Sequence, residues 1–304
     1  MNASSSDHPH EGTGILLAGG AYFVWGLVPL YWEMLGGISP GEITLHRLLW
    51  CALFGLIATA ARGRFNHLAA IFRTPRLIGA LAISSVLITV NWTLYMYCVV
   101  SHQLVDAALG YYLTPLVSIA LGVMLLNEKI GRLRIAGIVL AAIAVAVEAA
   151  ALGHIPWVAP GLALSFGFYG YVRKLTPVDS LDGLTVETAL FLPITLALVA
   201  VWALQGTGAF PAPTLTRDAL LVFTGPLTAL PLVMFAAGAR RVRLTTLGFL
   251  QYISPSITLI VAILFLHESF TRTTAIAFGC IWLALALVSL EGRRLPLLSR
   301  RVAE

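Results

Sequence analysis

The segment TPLVSIALGVMLLNEKIGRLR, residues 114–134, returns in outline as SPSITLIVAILFLHESFTRTT, residues 254–274. In each, a hydroxyl residue and a proline open an apolar run. A glutamate stands 13 positions after the proline: Glu128 after Pro115, and Glu268 after Pro255. A polar break and an arginine follow, Arg132 and Arg272. A duplicated, proline-interrupted hydrophobic unit points to a transporter built from two halves.

The rest of the chain has the solvent preference this demands. Of 304 residues, 59% are hydrophobic and only 11% charged, with a mean hydropathy of +0.89. A soluble domain carries about 25% charged residues. The expected class is an all-α polytopic membrane protein. A spanning helix needs about 20 mostly apolar residues. Ten stretches qualify: 13–35, 41–61, 76–99, 104–126, 132–152, 155–174, 183–204, 217–238, 244–266 and 272–291. Short breaks separate them, among them Gly36-Gly37 with Ser39-Pro40, Arg62-Gly63-Arg64 and Thr176-Pro177. The first thirteen residues are polar and lack a basic leader, so no cleavable signal peptide is expected.

Basic residues orient the spans. With the N-terminus inside, inner loops and the C-terminal tail hold 16 of the 19 Lys and Arg. Outer segments hold Arg217 and Arg272, and Arg47 lies within a span. Both termini are therefore expected on the cytoplasmic face of a bacterial-type inner membrane. The net charge of +5 reads as this topology signal, not as a nucleic-acid surface. Ten spans divide into two sets of five. Five is odd, so the second set enters from the other side and the repeat is inverted. The expected organisation is a cytoplasmic tail at 1–12, a first five-helix unit at 13–152, a second at 153–292 and a basic tail at 293–304. Glu128 then ends a helix inside and Glu268 outside, as gate elements, with Pro115 and Pro255 as paired mid-membrane hinges.

Polar side chains in hydrocarbon are costly, so each needs a partner or a water-filled cavity. The expected substrate-binding set is Tyr22, Trp25, His46, Arg47, Asn91, Tyr95, Tyr111, Tyr112, Ser165, Tyr169, Gln251 and Tyr252. Arg47 is the sharpest of these: a cation able to bind a carboxylate, or to snorkel outward. Asn91 fits a ligand group or interhelical glue. Glu187, near the inner end of its span, is expected to pair with Arg173 or Lys174. Trp32, Tyr97, Trp157 and Trp202 fit membrane-surface belts. Glycines at 19, 20, 26, 161, 167 and 170 permit close helix contact, where the halves meet. Cys51, Cys98 and Cys280 lie in apolar runs without CxxC spacing, so no metal, disulfide or cofactor is expected. Walker, HExxH and GxSxG patterns are absent, which argues against ATP use and hydrolase chemistry.

Five segments carry a family resemblance: AYFVWGLVPLYW (21–32), EITLHRLLW (42–50), NWTLYMYCVVSHQLVDAALGYYLTPLV (91–117), ALSFGFYGYVRK (163–174) and TTLGFLQYISPS (245–256). The chain resembles the RarD-like branch of the EamA group in the drug/metabolite transporter superfamily, over essentially all ten spans. The resemblance implies ten helices in an inverted five-plus-five repeat, a central cavity, and transport of small metabolites or drugs. It also implies kinship to YddG-type amino-acid exporters. The expected activity is alternating-access export of amino acids, including aromatic ones, or similar amphipathic compounds, by a chain that functions as a monomer. Alternatives are efflux of chloramphenicol-type drugs, flipping of a lipid or lipid carrier, an intramembrane enzyme and a non-transporting scaffold.

Overall fold

The computed structural model describes residues 11–126, 131–152, 157–212, 214–239, 241 and 250–298. The described residues are helical throughout, apart from turns. The helices are α1 (Glu11–Glu33), α2 (Pro40–Ala61), α3 (Phe65–Phe72), α4 (Pro75–Val100), α5 (Leu104–Leu126) and α6 (Arg132–Leu152). They continue with α7 (Val158–Leu175), α8 (Ser180–Gln205), α9 (Leu215–Ala239), α10 (Ile253–Ile260) and α11 (Arg272–Leu298). Five of them, α1, α2, α4, α8 and α9, hold stretches long and apolar enough to cross a membrane. Shorter apolar stretches lie in α6, α11 and α10 with its extension. The protein is an all-α polytopic membrane protein with several apolar spans.

Local chemistry sets the helix ends. Ser39 Oγ accepts from Glu42 N at 3.2 Å and Pro40 opens α2, a standard N-terminal arrangement. Asp179 Oδ1 accepts from Leu181 N at 3.1 Å to cap α8, and Gly206 ends it in the left-handed region, φ 66°. Thr271 Oγ1 accepts from Thr274 N at 3.1 Å ahead of α11. The short α3 was not anticipated. It lies in the α2–α4 connection and packs Leu68 and Ile71 onto Leu81 and Val186.

Helices pair where small residues let backbones approach. α6 packs on α11, α5 on α7, α2 on α8 and α9, α1 on α9 and α10, and α4 on α7. A Cβ at Gly110 of α5 would lie 2.8 Å from Ala159 O of α7. One at Gly225 of α9 would lie 2.5 Å from Trp50 of α2. Of the glycines expected at helix contacts, Gly26 meets Ile257 of α10, Gly20 meets Met234 of α9 and Gly167 meets Val117 of α5. Gly170 faces open space.

Pro115 sits inside α5, as expected. Pro255 differs. It lies in the first turn of α10, behind a turn at Gln251 and Tyr252, rather than midway along a continuous helix. Proline lacks an N–H and clashes with the carbonyl four residues back, so helix readily begins around it. Beyond α10 the chain widens to a π-helical turn, Val261–Phe265, which no sequence signal announced. Glu128 lies outside the described residues.

One end of the bundle, here the basic end, gathers the α2–α4 connection with Arg62 and Arg64, the α7–α8 turn and Arg241. The opposite end gathers the α1–α2, α4–α5, α8–α9 and α10–α11 connections.

Candidate functional site

Arg47 lies seven positions into α2, about 10 Å from the helix start at 1.5 Å per residue. It does not snorkel: it is 8% exposed. Its guanidinium carbon lies 3.9 Å from the centre of the Trp92 ring and 5.4 Å from that of Trp32. Its Nε donates to Thr228 Oγ1 at 2.9 Å. Among the described residues no carboxylate lies within ion-pair distance of it. Two indole faces and one hydroxyl thus replace water around a full cation. A desolvated cation–π contact is worth about 2 kcal/mol. Trp32, expected as a surface belt residue, is 1% exposed and packs in the core instead. Its indole N–H is buried without a partner among the described residues.

Tyr95 and Tyr111 complete this centre. Their rings lie 5.8 Å apart and both are in electrostatic reach of Arg47. Asn91 and Ser165 sit beside them but are engaged elsewhere. The Asn91 amide donates to Leu162 O at 3.0 Å and to Ser165 Oγ at 3.1 Å. Its oxygen accepts from Tyr111 OH at 3.4 Å. Asn91 therefore ties α4 to α7 and α5. His46 accepts at Nδ1 from Trp50 Nε1 at 3.3 Å and rests on Phe210, ring centres 5.7 Å apart. Its Nε2 is buried without a partner among the described residues.

Other expected site residues form separate groups. Tyr22, Trp25 and Phe235 make a ring cluster between α1 and α9, with centres 5.5–6.0 Å apart. Tyr112 stacks on Tyr252 at 6.1 Å and 15°, and its hydroxyl bonds Ser256 Oγ. Gln251 lies half-buried in the turn before α10. Tyr169 reaches Glu187, its hydroxyl 3.3 Å from Oε2.

A cleft of about 550 Å³ enters from the basic end between α2, α8 and α9. Arg62, Arg64 and Arg241 stand at its mouth, and Leu184 and Leu232 are its deepest lining residues along α8 and α9. Those leucines belong to one apolar cluster with Leu48, Cys51 and Trp92. The same cluster thus holds both the inner lining of the cleft and the ring under Arg47. The opposite end is stitched shut. Tyr31 OH donates to Leu220 O, Ala209 N to Glu42 Oε1, and Arg217 to Gly36 O at 3.4 Å. Glu268 accepts from Leu104 N at 2.7 Å and Val105 N at 2.9 Å, one oxygen each, and so caps α5.

Sequence reasoning passed over two acids, Asp182 and Glu148, and left a third, Glu187, out of the site while expecting the pairing with Arg173 that the structure shows. Glu187 is wholly buried, with Ser84 Oγ 2.6 Å from Oε1 and Arg173 Nε 3.5 Å from Oε1. Asp182 is buried at the start of α8, bonded by Arg64 at 2.8 Å and His67 at 2.9 Å. Glu148 is buried between α6 and α11, with Thr274 Oγ1 3.2 Å from Oε1. One numerical regularity could have found two of them. Arg47 and Glu187 differ by 140, as do Glu42 and Asp182, Tyr112 and Tyr252, and the two prolines.

The model of the EamA-like transporter family matches residues 12–148 and again 157–290. The chain belongs to the EamA-like transporter family. An uncharacterized transporter of Vibrio cholerae is 38% identical over 95% of each chain. Protein RarD of Escherichia coli is 36% identical over 91% of this chain and 94% of its own. A crystal structure at 19% identity covers 93% of this chain and 99% of that one with a TM-score of 0.58, a likeness of fold. The protein is thus a RarD/EamA member of the drug/metabolite transporter superfamily: a multi-pass, bacterial-type inner-membrane transporter of small molecules and not an enzyme.

Proposed function

We propose that this EamA transporter is an alternating-access carrier that exports small amphipathic carboxylates, amino acids foremost, and that Arg47 binds the carboxylate. The observation that carries this reading is the state of Arg47. A buried guanidinium has five donors, yet among the described residues one hydroxyl takes up its hydrogen bonding. An unpartnered indole N–H, from Trp32, belongs to a ring in contact with it. A planar anion satisfies such donors bidentately. The aromatic walls of Trp32, Trp92, Tyr95 and Tyr111 suit an apolar or aromatic side chain.

The carrier is a ten-helix inverted repeat with both termini cytoplasmic. The family model matching twice in succession supports this. So does the pairing by 140. Glu42 and Asp182 both stand third in their helices, and each bonds the connection that leaves the other helix of the pair: Ala209 after α8, Arg64 and His67 after α2. Tyr112 and Tyr252 stack on one another, as residues at a pseudo-two-fold axis do. α1 packs on α9 as α7 packs on α4. In this reading the basic end is cytoplasmic, and the structure is the form open to it.

Counterflow in proteoliposomes tests the proposal, with labelled amino acids, their carboxamides and chloramphenicol offered in parallel. Exchange of amino acids, loss of it with the carboxamides, and loss of it in Arg47→Ala are expected. Equal handling of acid and amide would overturn the carboxylate role. A lipid-carrier reading draws on a second cleft of about 340 Å³ between α2, α4 and α8, lined by Thr89, Thr93 and Ile194. It predicts flipping of labelled lipid in the same vesicles.

A further inference from the structure

We infer that Glu187 is the proton-binding site that couples this carrier to a pH gradient, an inference that rests on the carrier reading above. Glu187 occupies in α8 the place that Arg47 occupies in α2, seven positions from the helix start. It is 0% exposed, so its charge is either neutralised or costly.

Its partners suit both protonation states. Oε1 accepts from Ser84 of α4 at 2.6 Å, and Oε2 from Tyr169 of α7 at 3.3 Å. Hydroxyls donate to a carboxylate and can turn to accept from a carboxylic acid. The one cation near it among the described residues, Arg173 of α7, stands off at 3.5 Å from Oε1. Its NH2 already reaches the carbonyls of Val178 and Asp179 at 3.5 and 3.4 Å. Its NH1 is buried without a partner among the described residues. Arg173 is therefore shared between Glu187 and the α7–α8 turn, and protonation of Glu187 shifts it toward the turn. Asp182, one and a half turns earlier, shows the contrast. Arg64 and His67 hold it at 2.8 and 2.9 Å, as in a fixed tie.

The surroundings supply a path and a link. The cleft from the basic end reaches Leu184, one helical turn from Glu187. α2 presents Cys51, which is in electrostatic reach of both Glu187 and Arg47. α4 also presents Ser85, whose hydroxyl bonds the Glu187 carbonyl, and α9 adds apolar Ala229 and Leu232 to the cluster that holds Tyr169. Tyr169 packs in the same cluster as Trp92, the ring under Arg47. Charge at Glu187 and occupancy at Arg47 thus act on the same helices. The step is a proton transfer alone: a proton from water in the cleft onto Oε2, with Arg173 released to the turn carbonyls, reversed on the other side.

The test compares two transport modes in proteoliposomes loaded with a labelled amino acid that exchanges. In the wild type, a one-unit pH gradient should shift the accumulation ratio by up to about tenfold for one coupled proton. Glu187→Gln should abolish that response and retain counterflow. A gradient response that persists in Glu187→Gln overturns the inference. So does loss of counterflow and response together in a variant that unfolds at the wild-type temperature, because Glu187 is then needed for carriage itself and not for coupling to protons. A wild type that exchanges but ignores the gradient overturns the inference and leaves the carrier reading standing. A wild type with no exchange of any amino acid fells the carrier reading itself, and this inference with it. Should Glu187→Gln not fold, Tyr169→Phe serves. Loss of a donor to the carboxylate should move the pH midpoint of transport upward with counterflow intact, and an unmoved midpoint counts against the site.

Discussion

Arg47 and Asn91 lie close together in the bundle, both polar, both almost free of solvent, and the structure treats them in opposite ways. The Asn91 amide has its hydrogens on Leu162 O and Ser165 Oγ and its oxygen on Tyr111. The Arg47 guanidinium is laid against two indoles and bonded to one hydroxyl. The difference teaches how to read polar groups in an apolar bundle. A group whose donors are spent on neighbouring helices holds the bundle together. A group whose donors are unspent, yet which is sheltered at evident cost, is kept for something that arrives later. On that criterion Asn91, Ser165, Tyr112 and Tyr169 leave the substrate set, and Trp32, Trp92 and Thr228 enter it.

The widest gap between the two should appear on substitution to alanine. A charge-assisted hydrogen bond is worth about 1.5–3 kcal/mol, so Arg47→Ala should cut counterflow of a carboxylate substrate by about 10- to 10²-fold. Its thermal unfolding midpoint should hold or rise, because a buried unpaired charge has been removed. Asn91→Ala should do the reverse. Interhelical polar bonds in membranes average about 0.6 kcal/mol and reach about 1.7. The midpoint should therefore fall, while substrate affinity per folded molecule stays within about threefold. If Asn91→Ala abolishes binding and leaves stability alone, the spent-donor criterion is wrong here.

A smaller effect should come from the surface on which Arg47 rests. Trp92→Leu removes the nearer ring face and should destabilise the protein, with part of that loss belonging to the cation. In the Arg47→Ala background the same substitution should cost less, by about 0.5–2 kcal/mol, the range of cation–π contacts. A double-mutant cycle from thermal or denaturant unfolding reads this coupling. A coupling near zero would mean that the indole merely fills space.

Much of the fold was legible because hydrocarbon imposes a coarse rule. Long apolar stretches, such as 180–205 and 75–100, have one outcome in a bilayer. The duplication, to which the family model fits twice, showed in Pro115 and Pro255 because proline and glutamate stand out against leucine and alanine. The site was less legible. Arg47 stood out as a lone cation, but its setting depended on Trp32, which looks like a belt residue near a span end. Thr228 carried no signal, since threonine is common in such helices and usually bonds its own backbone, as Thr185 does with Leu181 O. Asn91 was left between a ligand group and interhelical glue, and Tyr112 was read as a cavity group, because sequence shows a polar residue's depth and not its partner. The break before Pro255 was read as a mid-helix kink because hydropathy runs unbroken through Gln251 and Tyr252.

The smallest effect belongs to the seal at the opposite end, where the contrast between open and closed can be tilted. Glu268 serves the first turn of α5 with both carboxylate oxygens, bringing charge as well as acceptors to a helix N-terminus. Gln in its place keeps one good acceptor and loses the charge. Caps and terminal charges are each worth about 0.5–1 kcal/mol in such settings, which corresponds to about a two- to fivefold shift between open and closed forms. A native reporter is at hand. Cys98 of α4 is fully buried, within electrostatic reach of Glu268. With Cys51 and Cys280 replaced by alanine, maleimide labelling of Cys98 from the opposite face should run about two- to fivefold faster in Glu268→Gln. Unchanged labelling alongside a lowered unfolding temperature would make Glu268 a plain helix cap, and the seal would then rest on Tyr31, Glu42 and Arg217.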